Sequence, residues 1–408
     1  MKPVALGRAA SKEDPSQGAL APGRPLGVYV HFPFCGVRCP YCDFAVDTRA
    51  DIPHDAYADT VIAELEARRV WFEGPLVSIY FGGGTPGLWR PAALGRVIAA
   101  VRDAFGAPPA EALEITVEAN PGEVDEPHLR ALRAAGVNRI SLGAQAFEDR
   151  LLRALGRNHD AAAIPAAVRA ARAAGFEALS LDLMFGLPEQ SRDDWRRALE
   201  AVIALAPDHV SAYALTIERG TAFGALDRAG RLPRPDDDAV AAMFEDAGAA
   251  LGAVGLPRYE VSSYASPARR ARHNGLYWSG APYLGLGASA ASFRPLVDGT
   301  GWRFSNARAT DSYLAGRGVA APRQVERRSA ADLENEAVWL GLRTADGVDR
   351  AAHRRRYGRD PLEGRGAAQA CLANGWLVVE EQSVRLTPTG ILFADEVASR
   401  LWLDSSSR

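Results

Sequence analysis

From Leu26 to about Ala265 the chain alternates short apolar runs of β-type residues with Ala-, Leu- and Arg-rich stretches of helical length. The runs are GVYVHF (27–32), VSIYFGG (77–83), LEITVEA (113–119), RISLGAQ (139–145), ALSLDLMFG (178–186) and HVSAYALT (209–216), with RYEVSSYA (258–265) as a further candidate. Near-continuous apolar runs of this length predict strands buried on both faces of a parallel sheet. Segments such as Asp55–Trp71, Pro91–Phe105 and Asp193–Leu205 between them predict helices. Six repeated βα units predict an α/β fold, a full or partial barrel. Polar residues recur near the C-terminal ends of successive strands, at Glu118, Gln145, Asp182 and Tyr213. That is the rim where β/α barrels gather their binding groups, although each side chain taken singly could cap a loop.

After Ala320 the pattern changes. Helical stretches at Ala330–Leu342 and Pro361–Ala373 flank an Arg-rich segment, and WLVVEEQSVRLTPTG (376–390) reads as a hairpin. Two helices and a hairpin predict a small winged-helix-like domain over 321–408, after a core domain over 26–320. Arg350, Arg354, Arg355, Arg356 and Arg359 form a basic run that suits an acidic partner or peripheral contact with anionic lipid; the alternative is a solvated helix face. Residues 1–25 are rich in Ala, Gly, Pro and Ser without an apolar h-region, and are expected to form a disordered tail. The uncharged run Gly275–Phe293 holds four Gly, three Ser and Pro282, poor material for a spanning helix. A soluble, cytoplasmic protein is expected.

Composition narrows the chemistry. The 408 residues are 48% hydrophobic and 24% charged with net charge −3, which fits two or three globular domains. Of 47 basic residues all but Lys2 and Lys12 are Arg, yet acidic residues offset them throughout, which argues against a nucleic-acid binder. Of four cysteines, Cys35, Cys39 and Cys42 fall within eight residues, and Cys371 stands alone with packing as its default role. A chain of this size needs no disulfide staples, so the triplet predicts a metal or redox site in a reducing compartment. Three thiolates spaced C-x3-C-x2-C can each reach a separate iron of a cubane cluster, leaving the fourth iron open to a small molecule. A zinc site would need a fourth donor, for which His31 is the candidate. Directly after the second strand, Tyr80-Phe-Gly82-Gly83-Gly84-Thr85-Pro86 offers backbone that a ligand can approach closely.

The C-x3-C-x2-C spacing, with Tyr41 before the last Cys, resembles the signature of the radical S-adenosylmethionine (SAM) superfamily. The resemblance implies a partial (β/α)6 barrel, a [4Fe–4S] cluster on Cys35, Cys39 and Cys42, and SAM chelating the open iron. The segments YVHFPFCxxxCxYCDF, YFGGGTP, EANP (118–121), SLGAQ (141–145), LGRNH (155–159) and DLMFGLP (182–188) are similar to oxygen-independent coproporphyrinogen III oxidases. Carried over, that likeness implies SAM contacts from Tyr29, Gly83, Gly84, Thr85, Glu118, Gln145, Arg157 and Asp182, with backbone contacts near Ala214 and Ala291. Two departures are visible: the oxidases carry one more cysteine where this chain has Phe44, and their long N-terminal arm is short here. Instead Arg272-His273-Asn274-Gly275-Leu276-Tyr277-Trp278 contains HNxxYW, which resembles the mark of the HemW haem chaperones. This resemblance implies haem as cargo, held at His273, Asn274, Tyr277 and Trp278, and haem-accepting apoproteins as partners. It implies a chaperone rather than an oxidase, with no catalytic residue assigned. An electron donor of flavodoxin or ferredoxin type would complete the redox site. His and flat aromatic side chains suit a haem iron and its macrocycle.

Overall fold

The computed structural model describes residues 14–106, 108–109, 112–319 and 324–403. Strands β1 (Leu26–Phe32), β2 (Leu76–Gly83), β3 (Glu114–Ala119), β4 (Arg139–Gln145), β5 (Ala178–Phe185) and β6 (His209–Ala214) pair in order, all parallel. Helices α1 (His54–Arg68), α2 (Pro91–Phe105), α3 (Glu126–Ala134), α4 (Asp149–Ala154), α5 (Ala163–Ala173) and α6 (Arg192–Ala204) fill the crossovers. After β6 come α7 (Ala222–Arg228), α8 (Asp237–Ala253), the short antiparallel β7 (Ser263–Ala265) and α9 (Arg272–Trp278).

The sheet does not stop at β1. On its other side β8 (Tyr283–Leu286) pairs parallel, and β9 (Ala291–Pro295), β10 (Gly301–Ser305) and β11 (Gln324–Arg328) follow antiparallel. The result is one open sheet of eleven strands, β11-β10-β9-β8-β1-β2-β3-β4-β5-β6-β7. Neither β7 nor β11 closes onto the other edge, so the barrel is partial. β11 lies beyond the domain boundary expected at residue 320 and still belongs to this sheet.

The strands are not apolar on both faces. Val28, Val30, Ile79, Phe81, Ile115, Val117, Ile140, Leu142, Leu179, Leu181, Val210 and Ala212 join the helices in one buried cluster. The alternate positions are polar and bond to one another across the concave face. Tyr80 donates to Glu118, Ser141 to Asp182, and Tyr213 to Gln145. Strand alternation therefore builds an apolar shell under the helices and a polar lumen within.

Local signals fix the helix starts. Ser191 and Asp194 form a reciprocal capping box at α6, with the Asp194 backbone N–H donating to Ser191 Oγ at 3.1 Å. Ser191→Ala is expected to cost about 1 kcal/mol in denaturant unfolding, without touching the lumen.

Residues 14–25 correct the expectation of a disordered tail. Leu20 bridges Leu296, Gly18 packs against the Leu296 side chain, and Arg294 donates to the carbonyls of Pro15, Gln17 and Gly18. A buried guanidinium needs acceptors, and this segment supplies them. The first thirteen residues of that expected tail lie outside the described residues.

Beyond α10 (Thr310–Ala315) and β11, a second unit comprises α11 (Ala330–Leu342), β12 (Val348–Asp349), α12 (Arg350–Tyr357), α13 (Ala368–Ala373), β13 (Leu377–Val379), β14 (Ser383–Leu386) and α14 (Ala394–Arg400). Its strands form a separate sheet, β12-β14-β13, over an apolar cluster that includes Val338, Leu342, Val397 and Cys371.

Candidate functional site

The cysteine loop leaves the C-terminal end of β1. Phe34 pairs with Asp47, the Cys35 N–H donates to the Asp47 carbonyl at 3.0 Å, and the Phe223 N–H donates to the Pro40 carbonyl at 2.9 Å. Cys35 Sγ lies 3.1 Å from Thr85 Oγ1, and Arg157 points a guanidinium nitrogen at Cys39 Sγ from 3.8 Å. Burial pushes the Cys42 thiol up, so a thiolate there needs a cationic partner such as iron. The thiols do not converge on one point: among the described residues no three His, Cys, Asp or Glu side chains group as for a single metal ion.

The zinc alternative needs His31, and both its ring nitrogens are engaged. Nε2 meets the Ala45 carbonyl at 3.0 Å and so carries the proton, leaving Nδ1 to accept from Tyr29 at 3.1 Å. Burial lowers its pKa to about 4, so it stays neutral with no lone pair to spare.

The glycine run closes the other wall. The Gly84 N–H donates to the Phe32 carbonyl and the Thr85 N–H to the Phe34 carbonyl, each at 2.8 Å, so this turn is zipped to the stem of the cysteine loop. Gly83 has φ +118°, and its N–H donates to Glu118 Oε2 at 3.2 Å. Glu118 also accepts from Tyr80 at 2.6 Å. Burial pushes its carboxyl up to about 7, with the nearby Asp182 charge adding to the rise.

Asn120 is a residue that sequence reasoning passed over, although EANP contains it. It donates to Thr85 Oγ1 at 3.0 Å and to Glu123 at 2.8 Å, and accepts from Arg157. Arg157 donates further to the Gly143 carbonyl at 3.1 Å, while its buried Nε has no partner. A guanidinium held this way, with donor capacity left, is ready for a carboxylate.

Gln145 adopts φ +65° where the β4–β5 register shifts, and it accepts from Tyr213 at 3.0 Å. Asp182 accepts from Ser141 at 2.8 Å, and burial raises its carboxyl too. Ala214 ends β6 exposed at the same rim. Ala291 begins β9, and its carbonyl lies so close to Gly285 that a Cβ there would sit 2.1 Å away. Hydrogen bonds link Gly83 to Glu118 and, through Asn120, Thr85 to Arg157; Asp182 acts on Glu118, and Thr85 and Arg157 contact the thiols of Cys35 and Cys39. The donor set fits a cluster with an amino-acid nucleoside ligand: thiols for iron, Arg157 for a carboxylate, and acidic groups for an ammonium and ribose hydroxyls.

The HNxxYW segment is α9, set against β1 and β2, where Tyr29 and Tyr80 stand between it and Glu118. His273 is 1% exposed, its Nδ1 lies 2.9 Å from Ser78 Oγ, its Nε2 lies 2.9 Å from the Tyr277 hydroxyl, and its ring stacks on Tyr80 at 5.0 Å. Burial lowers its pKa to about 3. As placed, the imidazole is buried with both ring nitrogens hydrogen-bonded. Coordination would require one of those hydrogen bonds to break and α9 to move. Tyr277 packs edge-on against Tyr283, and Asn274 and Trp278 are partly exposed, the Trp278 indole N–H lacking a partner.

The basic run is largely neutralised. Arg350 and Arg354 pair with Asp360, and Arg359 pairs with Glu334, as for a solvated helix face. Phe44 is 61% exposed at the site's edge. Among the described residues no helix is long and apolar enough to cross a membrane.

Residues 29–202 match the Radical SAM superfamily, and residues 329–393 the HemN C-terminal domain. The chain is 37% identical over 387 residues to the heme chaperone HemW of Mycobacterium tuberculosis (strain CDC 1551 / Oshkosh), covering 94% of this chain and 96% of that one. It is 38% identical over 305 residues to the heme chaperone HemW of Escherichia coli K12, covering 74% and 79%. The solved coproporphyrinogen III oxidase (HemN) of Escherichia coli, a radical SAM enzyme, superposes with a TM-score of 0.76 at 24% identity, covering 94% and 91%. At that identity the likeness is one of fold.

Proposed function

Because the chain belongs to the heme chaperone HemW family of radical SAM proteins, we propose that it binds haem and delivers it to haem-requiring apoproteins, and that it carries a [4Fe–4S] cluster and SAM. The carrying observation is relatedness over 94% of the chain. In this reading Cys35, Cys39 and Cys42 ligate the cluster. Arg157 pairs with the SAM carboxylate, Glu118 and Asp182 accept from its ammonium and ribose, and Gly83, Gly84 and Thr85 bring backbone against it. Tyr29 and Gln145 shape the SAM site, and the backbone at Ala214 and Ala291 bounds it. A cluster held by these thiols would supply one-electron reducing chemistry beside bound SAM, with a flavodoxin- or ferredoxin-type protein as its electron donor.

The oxidase reading is not favoured, since Phe44 stands where those enzymes have a further cysteine. Anaerobic incubation with reductant and coproporphyrinogen III is expected to yield no protoporphyrinogen; its formation would reverse the assignment. The chaperone reading is tested by haem titration followed by absorbance, where saturable binding is expected and its absence rejects the function.

We assign HNxxYW to haem only in a state where α9 has opened. His273→Ala strands the Ser78 and Tyr277 hydroxyls and is expected to cost about 1–3 kcal/mol per stranded group in thermal unfolding. Repeating the haem titration below that transition separates the roles: loss of binding by the folded variant marks the opened helix as the haem element, and retained binding leaves it a packing role.

A further inference from the structure

The lumen holds one charged side chain that no hydrogen bond accounts for. Arg139 opens β4 and is 5% exposed, and among the described residues its guanidinium has no hydrogen-bond or ion-pair partner. Its register neighbour on β3, Thr116, buries an Oγ1 that also lacks a partner. A cation this deep, without a direct partner, is stabilised by opposite charges that lie near it.

Those charges lie toward the rim. Two residues along β4, a rise of about 7 Å, is Ser141. Its register neighbour on β3 is Glu118, and its hydroxyl holds Asp182 of β5. Arg139 therefore sits beneath both carboxylates, on the strand between them. An anion bound at Arg139 would meet their repulsion, so the arginine serves the carboxylates themselves.

We propose that Arg139 is a positioning residue, the internal counter-charge that favours the ionised forms of Glu118 and Asp182 so that they can receive the cationic ammonium and sulfonium end of SAM. This rests on the SAM reading above. The groups facing Glu118 are Tyr80 of β2, Asp182 of β5, Arg139 of β4, Tyr29 of β1 and Tyr277 of α9. Burial raises Glu118 to about 7, Asp182 adds to the rise, and Tyr80, the Gly83 N–H and Arg139 oppose it. Deeper in the lumen, burial and then Arg139 lower His209 and His273, which stay neutral and cannot replace the charge.

The test is SAM affinity by anaerobic calorimetry on the cluster-loaded protein, followed across pH. In the wild type, affinity is expected to rise through a midpoint near 7 as Glu118 loses its proton. Arg139→Gln is expected to move that midpoint up, weakening SAM at neutral pH by several-fold, with recovery at alkaline pH. Arg139→Lys keeps the wild-type midpoint. A Gln variant weaker by one constant factor at every pH overturns the proposal, because a merely structural role behaves that way. Should the Gln variant not fold, the Lys variant decides: a retained midpoint supports the counter-charge and a displaced one overturns it. A wild type that binds no SAM at any pH fails the underlying reading, and this inference with it.

Discussion

Replacing Cys35, Cys39 or Cys42 singly with Ser is expected to abolish the iron–sulfur chromophore after anaerobic reconstitution, with bound iron falling close to zero. Each thiol has a distinct environment: Cys35 beside Thr85, Cys39 beside Arg157, and Cys42 with its thiol pushed up by burial. His31 is a poor substitute, since both its ring nitrogens are committed. A serine hydroxyl is a poor ligand for a soft cluster iron, because it is not deprotonated as a thiol is. Cys371→Ala is the control. That thiol is fully buried in the small C-terminal core, so its loss should cost stability while leaving iron content unchanged. Iron quantification with visible and paramagnetic resonance spectra reads both outcomes.

Gly84→Ala is expected to be a strongly damaging single-methyl change at the cysteine loop. A Cβ there would lie 2.5 Å from the Phe34 carbonyl oxygen and 2.7 Å from that of Pro33. These are backbone atoms at the base of the cysteine loop, so the clash cannot be relieved by rotating a side chain. Either the turn or the loop stem must shift, breaking the Gly84-to-Phe32 and Thr85-to-Phe34 hydrogen bonds. Overpacking of this kind costs about 1–3 kcal/mol. Because the turn carries Thr85, a displaced turn should also weaken SAM by tenfold or more, about 1.4 kcal/mol per factor of ten. Thermal unfolding and calorimetry give the two numbers separately. An unchanged melting temperature with wild-type SAM affinity would remove the glycine turn from the site.

The first six strands were legible because each is an apolar run with its own helix following, and local periodicity reports that directly. β8 to β11 escaped notice for a physical reason. YLGL, ASFRP, GWRFS and QVERR are short and interrupted by Gly, Ser, Pro or Arg, and β8 is ordered by pairing with β1, far away in sequence. Apolar content alone also hid the polar lumen, since Ser78, Thr116 and Ser180 are small enough to pass within an apolar run. The cysteine spacing and the glycine turn were legible because their chemistry is carried by residues adjacent in the chain. His273 was not: the motif exhibits an imidazole, but the hydroxyls of Ser78 and Tyr277 that occupy it are brought in by the fold. The same holds for the basic run, whose charge reads as free until Asp360 and Glu334 are seen beside it.

Haem transfer tests the central claim most directly. Haem-loaded, cluster-reconstituted protein is mixed anaerobically with an apo-form of a haem-requiring protein, the two are separated, and haem is quantified on each. The account predicts that haem moves to the acceptor faster than it does from an equal amount of haem bound to serum albumin. Haem that stays with this chain, or that leaves no faster than from albumin, would contradict the assignment as a haem chaperone.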